Sequence, residues 1–229
     1  MRIDIISLFP NYFESPFKTS MLKRAIDKGL LEVNLIDIRD FAKDKHKSVD
    51  DRPYGGGPGM VLMCGPLKDA ISSVYSEKGV VIYLSPQGKK LQAKACEKYA
   101  EYEHVILVCG HYEGIDQRII EKYVDFEVSI GDFVLTSGCP AALVFVDAVS
   151  RFVPGVIGNK EAAYQDSFQL GRFDAPHYTR PEVFEGMTVP KLLLEGHHEK
   201  IEKWRSEQGL KKTRQLRPDI LCENRASVE

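Results

Sequence analysis

The side chains of this sequence that could take or give a proton lie in stretches without helical or strand periodicity. Glu113, Asp116, Asp132, Asp166 and Asp174 all fall in or beside expected loops, where general bases are commonly placed. Each also has a plainer role open to it as a cap or turn residue; Asp166, just before Ser167-Phe168, could simply open a helical turn. Arg151 follows a long apolar segment, and a cation there suits the C-terminal end of a helix with no further function. His197-His198 lacks a third ligand at metal spacing, and no metal site is expected. Cys64, Cys96, Cys109, Cys139 and Cys222 form an odd set without close pairs, which argues for a reducing compartment and against zinc or a disulfide framework.

Three apolar runs supply a place for chemistry. Val80–Leu84 leads into Ser85-Pro86-Gln87-Gly88, Val105–Val108 into Cys109–Gly114, and Val128–Gly131 into Asp132–Gly138. Short runs rich in Val and Ile read as buried strands. Ligands of open α/β sheets sit beyond the carboxyl ends of strands, where glycine lets main chain approach them closely. These three loops therefore predict one pocket lined largely by backbone. The segment Ser129–Gly138 could hold an adenine-like ring in that pocket, or could be a strand crossing in the core. Asp51–Met60 packs four glycines and two prolines into a string that cannot continue a helix or central strand. It has neither P-loop nor dinucleotide spacing, which leaves a ligand-closing loop or a plain surface turn.

The elements that must carry these loops alternate. Ile3–Leu8 reads as a strand, Ser20 caps a helix running to Lys28 with Gly29 as its stop, and Leu31–Ile38 reads as a second strand. Arg39–Gly59 is a charged, glycine-rich stretch without periodicity. Pro66–Val74, Leu91–Tyr102 and Ile115–Lys122 read as helices between the pocket strands, and Pro140–Phe152 as a largely buried helix. The order predicts an α/β fold with a mainly parallel sheet over about the first 155 residues. From Gly155 to Arg180 the chain is polar and reads as a linker; beyond Pro181 it turns helical and basic, with Ile201 and Trp204 as apolar anchors. His197–Arg217 holds seven cations against three acids, a local excess that suits phosphate contacts or a solvated helix face equally. The 229 residues, 43% of them hydrophobic and 28% charged, suit a soluble protein with room for two units. The N-terminus lacks a signal-peptide pattern and no segment is long enough to span a bilayer, so a cytoplasmic protein without a membrane partner is expected.

Eight strings occur in order: ISLFP (Ile6–Pro10), DDRPYGGGPGM (Asp50–Met60), YLSPQG (Tyr83–Gly88), GHYEGID (Gly110–Asp116), SIGDFVL (Ser129–Leu135), SRFVPGV (Ser150–Val156), QDSF (Gln165–Phe168) and PHYTRPEVFEG (Pro176–Gly186). Together they closely resemble the bacterial tRNA (guanine-N1)-methyltransferases that modify guanosine 37, and the resemblance spans nearly the whole chain. It implies a SPOUT-like fold: a mainly parallel α/β sheet with a C-terminal trefoil knot, which general topology rules alone would have rejected, plus a small helical C-terminal domain. It implies domains at 1–158 (methyltransferase), 159–180 (a linker carrying the general base) and 181–229 (basic, tRNA-binding).

The resemblance also assigns roles. It places S-adenosylmethionine in the three glycine loops, on Leu84, Ser85, Pro86, Gly110, Tyr112, Glu113, Ile130, Gly131, Asp132, Phe133, Val134, Leu135 and Gly138. Guanine N1 carries a proton at neutral pH, and the implied base is Asp166, with Arg151 aimed at O6 where negative charge develops. A cation beside a carboxylate weakens it as a base, so this pair is expected to work through geometry. Asp174, Arg52, Tyr54, Lys211 and Lys212 are the implied tRNA contacts. A homodimer with a shared active site and a magnesium requirement are implied too, although no magnesium ligands are identifiable. One departure stands out. Where the family usually has two glycines and then Glu-Leu-Pro-Ala after this loop, the chain reads Ser137-Gly138-Cys139-Pro140-Ala141-Ala142. A serine restricts positive φ at position 137, and a re-cut helix start is expected. Two alternatives remain: an RNA-binding homologue that has lost the cofactor, and a knotted methyltransferase acting on another RNA position.

Overall fold

Nearly continuous apolar runs form a sheet buried on both faces. In this computed structural model, which describes residues 1–159 and 162–221, the first elements are β1 (Arg2–Ser7), α1 (Glu14–Phe17), α2 (Ser20–Asp27), β2 (Glu32–Asp37), β3 (Asp50–Asp51), β4 (Val61–Leu62) and α3 (Cys64–Val74). Then come β5 (Gly79–Lys90), α4 (Ala93–Ala100), β6 (His104–Cys109), α5 (Gln117–Tyr123), β7 (Phe126–Ser129) and α6 (Cys139–Ser150). Five strands make one sheet in the order β2-β1-β6-β5-β7, every neighbouring pair parallel. The fold is α/β, as the alternation of elements predicts.

Successive side chains of a strand point to opposite faces, and here both faces are covered. Ile3, Ile5, Val105, Leu107, Val80 and Ile82 pack with Leu22 and Ala25 of α2, Cys96 of α4 and Phe145, Val146 and Val149 of α6. Ile6, Val81, Ile106 and Val108 pack on the other face with Leu67, Ala70 and Ile71 of α3 and Ile119 of α5. Each such aliphatic side chain contributes roughly 1.5–3 kcal/mol of hydrophobic stabilisation. The one acid inside β1, Asp4, is fully buried and satisfied by Arg2, Asn34 and His104, whose other ring nitrogen meets Ser76.

Local chemistry departs from expectation at several points. Ser20 does not cap α2: it has a positive φ of 49° and lies inside the helix, while Thr19 is the N-cap residue and turns its hydroxyl back to the Ser15 carbonyl. Gly29 does end that helix, with its N–H on Ile26 and the Leu30 N–H on Ala25. The stretch 39–59 is built rather than irregular. It has a short 3-10 turn at Ile38–Phe41, an Asp44 carboxylate that gathers the His46 and Ser48 N–H groups, and an antiparallel β3–β4 pairing. The segment Ser85–Gly88 is not a loop after a strand but part of one. β5 loses β6 as a partner after Leu84, bulges, and pairs again, so that Leu84 and Lys89 both oppose Val128 of β7.

The chain divides into two units, Met1–Gly158 and Asn159–Glu229. The second contains α7 (Ala162–Gln165), a hairpin of β8 (Val183–Phe184) and β9 (Met187–Thr188), and α8 (His198–Leu216). Its hairpin was not expected, and its first part is no bare linker, because the Phe173 N–H bonds to Thr213 of α8. Ile201 is buried and Trp204 half-buried, the latter beside Tyr178 with ring centroids 6.4 Å apart. Among the described residues no helix is long and apolar enough to cross a membrane. Cys64, Cys96, Cys109 and Cys139 are free thiols, and Cys222 lies outside the described residues.

Candidate active site

The bulged middle of β5 and the carboxyl ends of β6 and β7 open on one cavity of about 340 Å³. Leu84, Ser85, Pro86, Gly110, Tyr112, Glu113, Ile130, Gly131, Phe133, Val134, Leu135 and Gly138 line it together. Asp132 does not: its side chain points to solvent and pairs with Lys90 at 2.7 Å. Tyr83, Gln87, His111, Thr136, Ser137 and Ala141 also line the cavity. They stand within or beside the same strings, so their neighbourhood was legible although their individual contact was not.

The cavity wall is held by main chain. The Gly138 N–H donates to the Gly110 carbonyl at 2.8 Å, and His111 and Ser137 form an antiparallel bridge beside it. His111 Nδ1 meets the Thr136 carbonyl at 3.1 Å, and its ring packs edge-on against Phe9. Tyr112 sits at a left-handed φ of 57°, a conformation a bulky residue keeps only where its surroundings hold it. Below the wall lies a thiol pair. A hydrogen bond from Cys109, helped by Ser7 and Ser137, lowers the Cys139 thiol to about 6, while the same bond and burial push the Cys109 thiol up. Burial also pushes up the Tyr83 phenol, reinforced by the nearby Glu127 charge.

Ser137 is not held at a positive φ, so a serine in place of glycine there brings no left-handed strain. Its hydroxyl instead accepts the Cys139 N–H at 3.3 Å, at the start of α6. Ala141 and Ala142 then enter the buried face of that helix.

The glycine string is stitched to the second loop. The Glu113 N–H donates to Met60, the Leu62 N–H to Gly114 and the Asp116 N–H to Leu62. Gly55, Gly56, Gly57 and Gly59 all take positive φ, which explains their concentration there. Tyr54, fully exposed, and Arg52 stand on this string. Asp116 is a structural acid: it caps α5 by accepting the Arg118 N–H and binds the Arg118 guanidinium, which holds its carboxyl well below the usual range. Arg151 is the C-cap residue of α6.

The second unit carries the other acids. Asp166 follows α7, its carbonyl accepting the Gln169 N–H at 3.4 Å, and a turn closed by Phe168 N–H on Arg172 O at 2.8 Å comes just after it. Asp174 accepts from Ser167 Oγ at 2.6 Å and meets His177 Nε2 at 3.1 Å, and these partners lower its carboxyl, the serine most. Lys211 and Lys212 are exposed on α8. Among the described residues no three His, Cys, Asp or Glu side chains gather as a metal site.

Such a cavity, walled by main chain with the carboxylates of Glu113 and Glu127 and a few aromatic rings, suits a small polar ligand with a flat ring. Comparison with known proteins gives the class of chemistry. The family model described as tRNA (Guanine-1)-methyltransferase TrmD matches residues 1–223. A protein of Protochlamydia amoebophila (strain UWE25) named tRNA (guanine-N(1)-)-methyltransferase is 59% identical over 222 residues, covering 97% of this chain and 100% of that protein. Proteins of the same name from Chlamydia pneumoniae and Chlamydia trachomatis serovar D are 55% and 54% identical over 220 residues, 96% of this chain in each case. The chain spans only 61% and 62% of the length of those two relatives. A match over residues 1–223 and identity of this extent place the chain in the tRNA (guanine-1)-methyltransferase family, and it is a methyltransferase.

Proposed function

We propose that this protein transfers a methyl group from S-adenosylmethionine to N1 of guanosine 37 in tRNA. The observation that carries this reading is the meeting of the three glycine loops on one cavity in a chain that matches the family over residues 1–223. The cavity volume of about 340 Å³ falls within the roughly 300–1,000 Å³ of small-molecule sites. Its glycine-loop backbone fits a purine ring, and the Glu113 carboxylate fits a cationic ligand. When bound, the donor supplies an electrophilic methyl group on a positively charged sulfur.

The chain's own residues supply the rest. Asp166 accepts the N1 proton as the N1–methyl bond forms, and the electron pair of the broken carbon–sulfur bond stays on sulfur. Arg151 faces O6 and stabilises the charge that develops there. Lys211 and Lys212 hold the RNA backbone, Arg52 and Tyr54 approach it from the glycine string, and Asp174, already bonded to Ser167 and His177, reads the guanine edge. No magnesium ligand set is assigned, and no step runs through a metal.

The cradle is read as a trefoil knot and the active unit as a homodimer whose partner completes the site. Supporting the knot is the crowding of three segments: β5 opposes Val128 twice, and the chain after β7 returns to bridge His111 and bond Gly110. Supporting the homodimer is the exposed apolar rim of Tyr112, Phe133, Val134 and Leu135 at the cavity. The ordinary φ of Ser137 supports retention of the cofactor over its loss. Asp166→Ala tests the chemistry: methyl transfer should vanish with donor affinity nearly unchanged, and near-normal turnover would refute the base.

A further inference from the structure

Helix α8 has two faces with different tasks. Lys211 and Lys212 are exposed, whereas Gly209 and Thr213, one turn apart, are buried, Thr213 completely. The Thr213 hydroxyl donates to the Gly209 carbonyl at 2.7 Å and accepts the Phe173 N–H at 2.8 Å. A hydroxyl can donate and accept at once, which a methyl group in its place cannot do. At Gly209 an added Cβ would lie 2.3 Å from the Phe173 carbonyl oxygen. The main chain of Phe173 is therefore gripped by Thr213 at its N–H and pressed at its carbonyl into space that only glycine leaves.

From Phe173 the hydrogen bonding continues toward Asp166. The next residue, Asp174, gives its N–H to Ser167 Oγ at 3.1 Å and takes the Ser167 hydroxyl proton on Oδ1. Ser167 adjoins Asp166, and the Phe168–Arg172 bond closes the turn that lies between Ser167 and Phe173. Phe168 is held at a φ of 79° and packs edge-on against Phe173, with ring centroids 5.5 Å apart. The segment that follows Asp166 is thus closed on itself, and its Phe173 main chain is attached to α8.

We infer that Thr213, with Gly209 beside it, is a positioning residue for methyl transfer. It fixes the Asp166 turn to the same helix that presents Lys211 and Lys212, so the basic face and the proton acceptor share one rigid support. This rests on the reading of Asp166 as the base.

Steady-state kinetics on Thr213→Val, Thr213→Ser and Gly209→Ala, with Asp166→Ala alongside, test it; affinities for tRNA and S-adenosylmethionine are measured on each. Misplacing a reacting group by about 1 Å can cost on the order of a hundredfold in rate. Thr213→Val and Gly209→Ala should accordingly lose about ten- to a hundredfold in kcat. Both affinities should stay unchanged, and Thr213→Ser should restore the rate. Alanine is the better helix former, so a loss of turnover in a Gly209→Ala protein that still binds tRNA normally sets positioning apart from helix stability. Normal kcat in Thr213→Val overturns the inference, as does a loss of turnover matched by an equal loss of tRNA affinity. If Thr213→Val does not fold, Gly209→Ala decides, and unimpaired turnover there overturns the inference. An active Asp166→Ala enzyme rejects the base itself; an inactive one beside a fully active Thr213→Val rejects only the positioning role.

Discussion

Gly138 and Cys109 approach so closely that a Cβ on the glycine would stand 2.9 Å from the Cys109 Cα and 3.0 Å from the Gly110 nitrogen. Both neighbours are backbone of a central strand and its loop, and neither can step aside cheaply. This contact joins the second and third glycine loops and sets the width of the cavity between them.

Gly138→Ala should therefore open or distort the cavity. Overpacking of this kind costs typically about 1–3 kcal/mol of stability. The affinity for S-adenosylmethionine, read by calorimetry, should fall by more than the thermal shift alone would suggest. Unchanged affinity would show that the loop junction does not shape the site.

Asp116 gives a pH-dependent contribution to stability. Arg118 holds its carboxyl well below the usual range, so the folded state binds the proton more weakly than the unfolded chain does. Its stabilisation is present above the ordinary carboxylate value of about 4 and is lost as pH falls below that. Asp116→Ala removes the α5 cap and should cost about 1 kcal/mol at neutral pH. Urea denaturation should show that difference shrinking once the pH drops below about 4. A difference that stays constant or grows in acid would contradict the assignment.

Charge reversal at Lys211 and Lys212 should weaken tRNA binding and flatten its dependence on salt, since fewer counterions are released. Filter binding across a salt series reads both effects. Unaltered affinity would make this face of α8 a solvated surface and no more.

What could be read from sequence follows the range of the interactions involved. β1, β5 and β6 were legible because strands covered on both faces must be largely apolar: Val80–Leu84 and Val105–Val108 are so throughout, and Ile3–Ile6 is broken only by Asp4. The pocket was legible because its loops need glycine at strand ends. The continuation of β5 through Ser85–Gly88 was not, since it depends on pairing with Val128, some forty residues on. The grip of Thr213 on Phe173 is likewise a contact between distant residues that no local pattern announces. The small hairpin did carry a signal. Glu185-Gly186 lies between Val183-Phe184 and Met187-Thr188, and both turn residues take positive φ, as a two-residue type I′ turn requires. Residue type alone favours Ser20 as a cap, whereas the chain places Thr19 at the cap and Ser20 inside the helix.

Mapping the methyl group on RNA decides whether this protein modifies N1 of guanosine 37. An unmodified tRNA transcript carrying guanosine at position 37 is incubated with the protein and S-adenosylmethionine bearing a labelled methyl group, then digested and analysed by mass spectrometry. Label is expected on N1 of guanosine 37, with none on a transcript in which that guanosine is replaced. Label on another nucleotide or on a ribose would overturn the proposed reaction, as would its absence when both ligands bind.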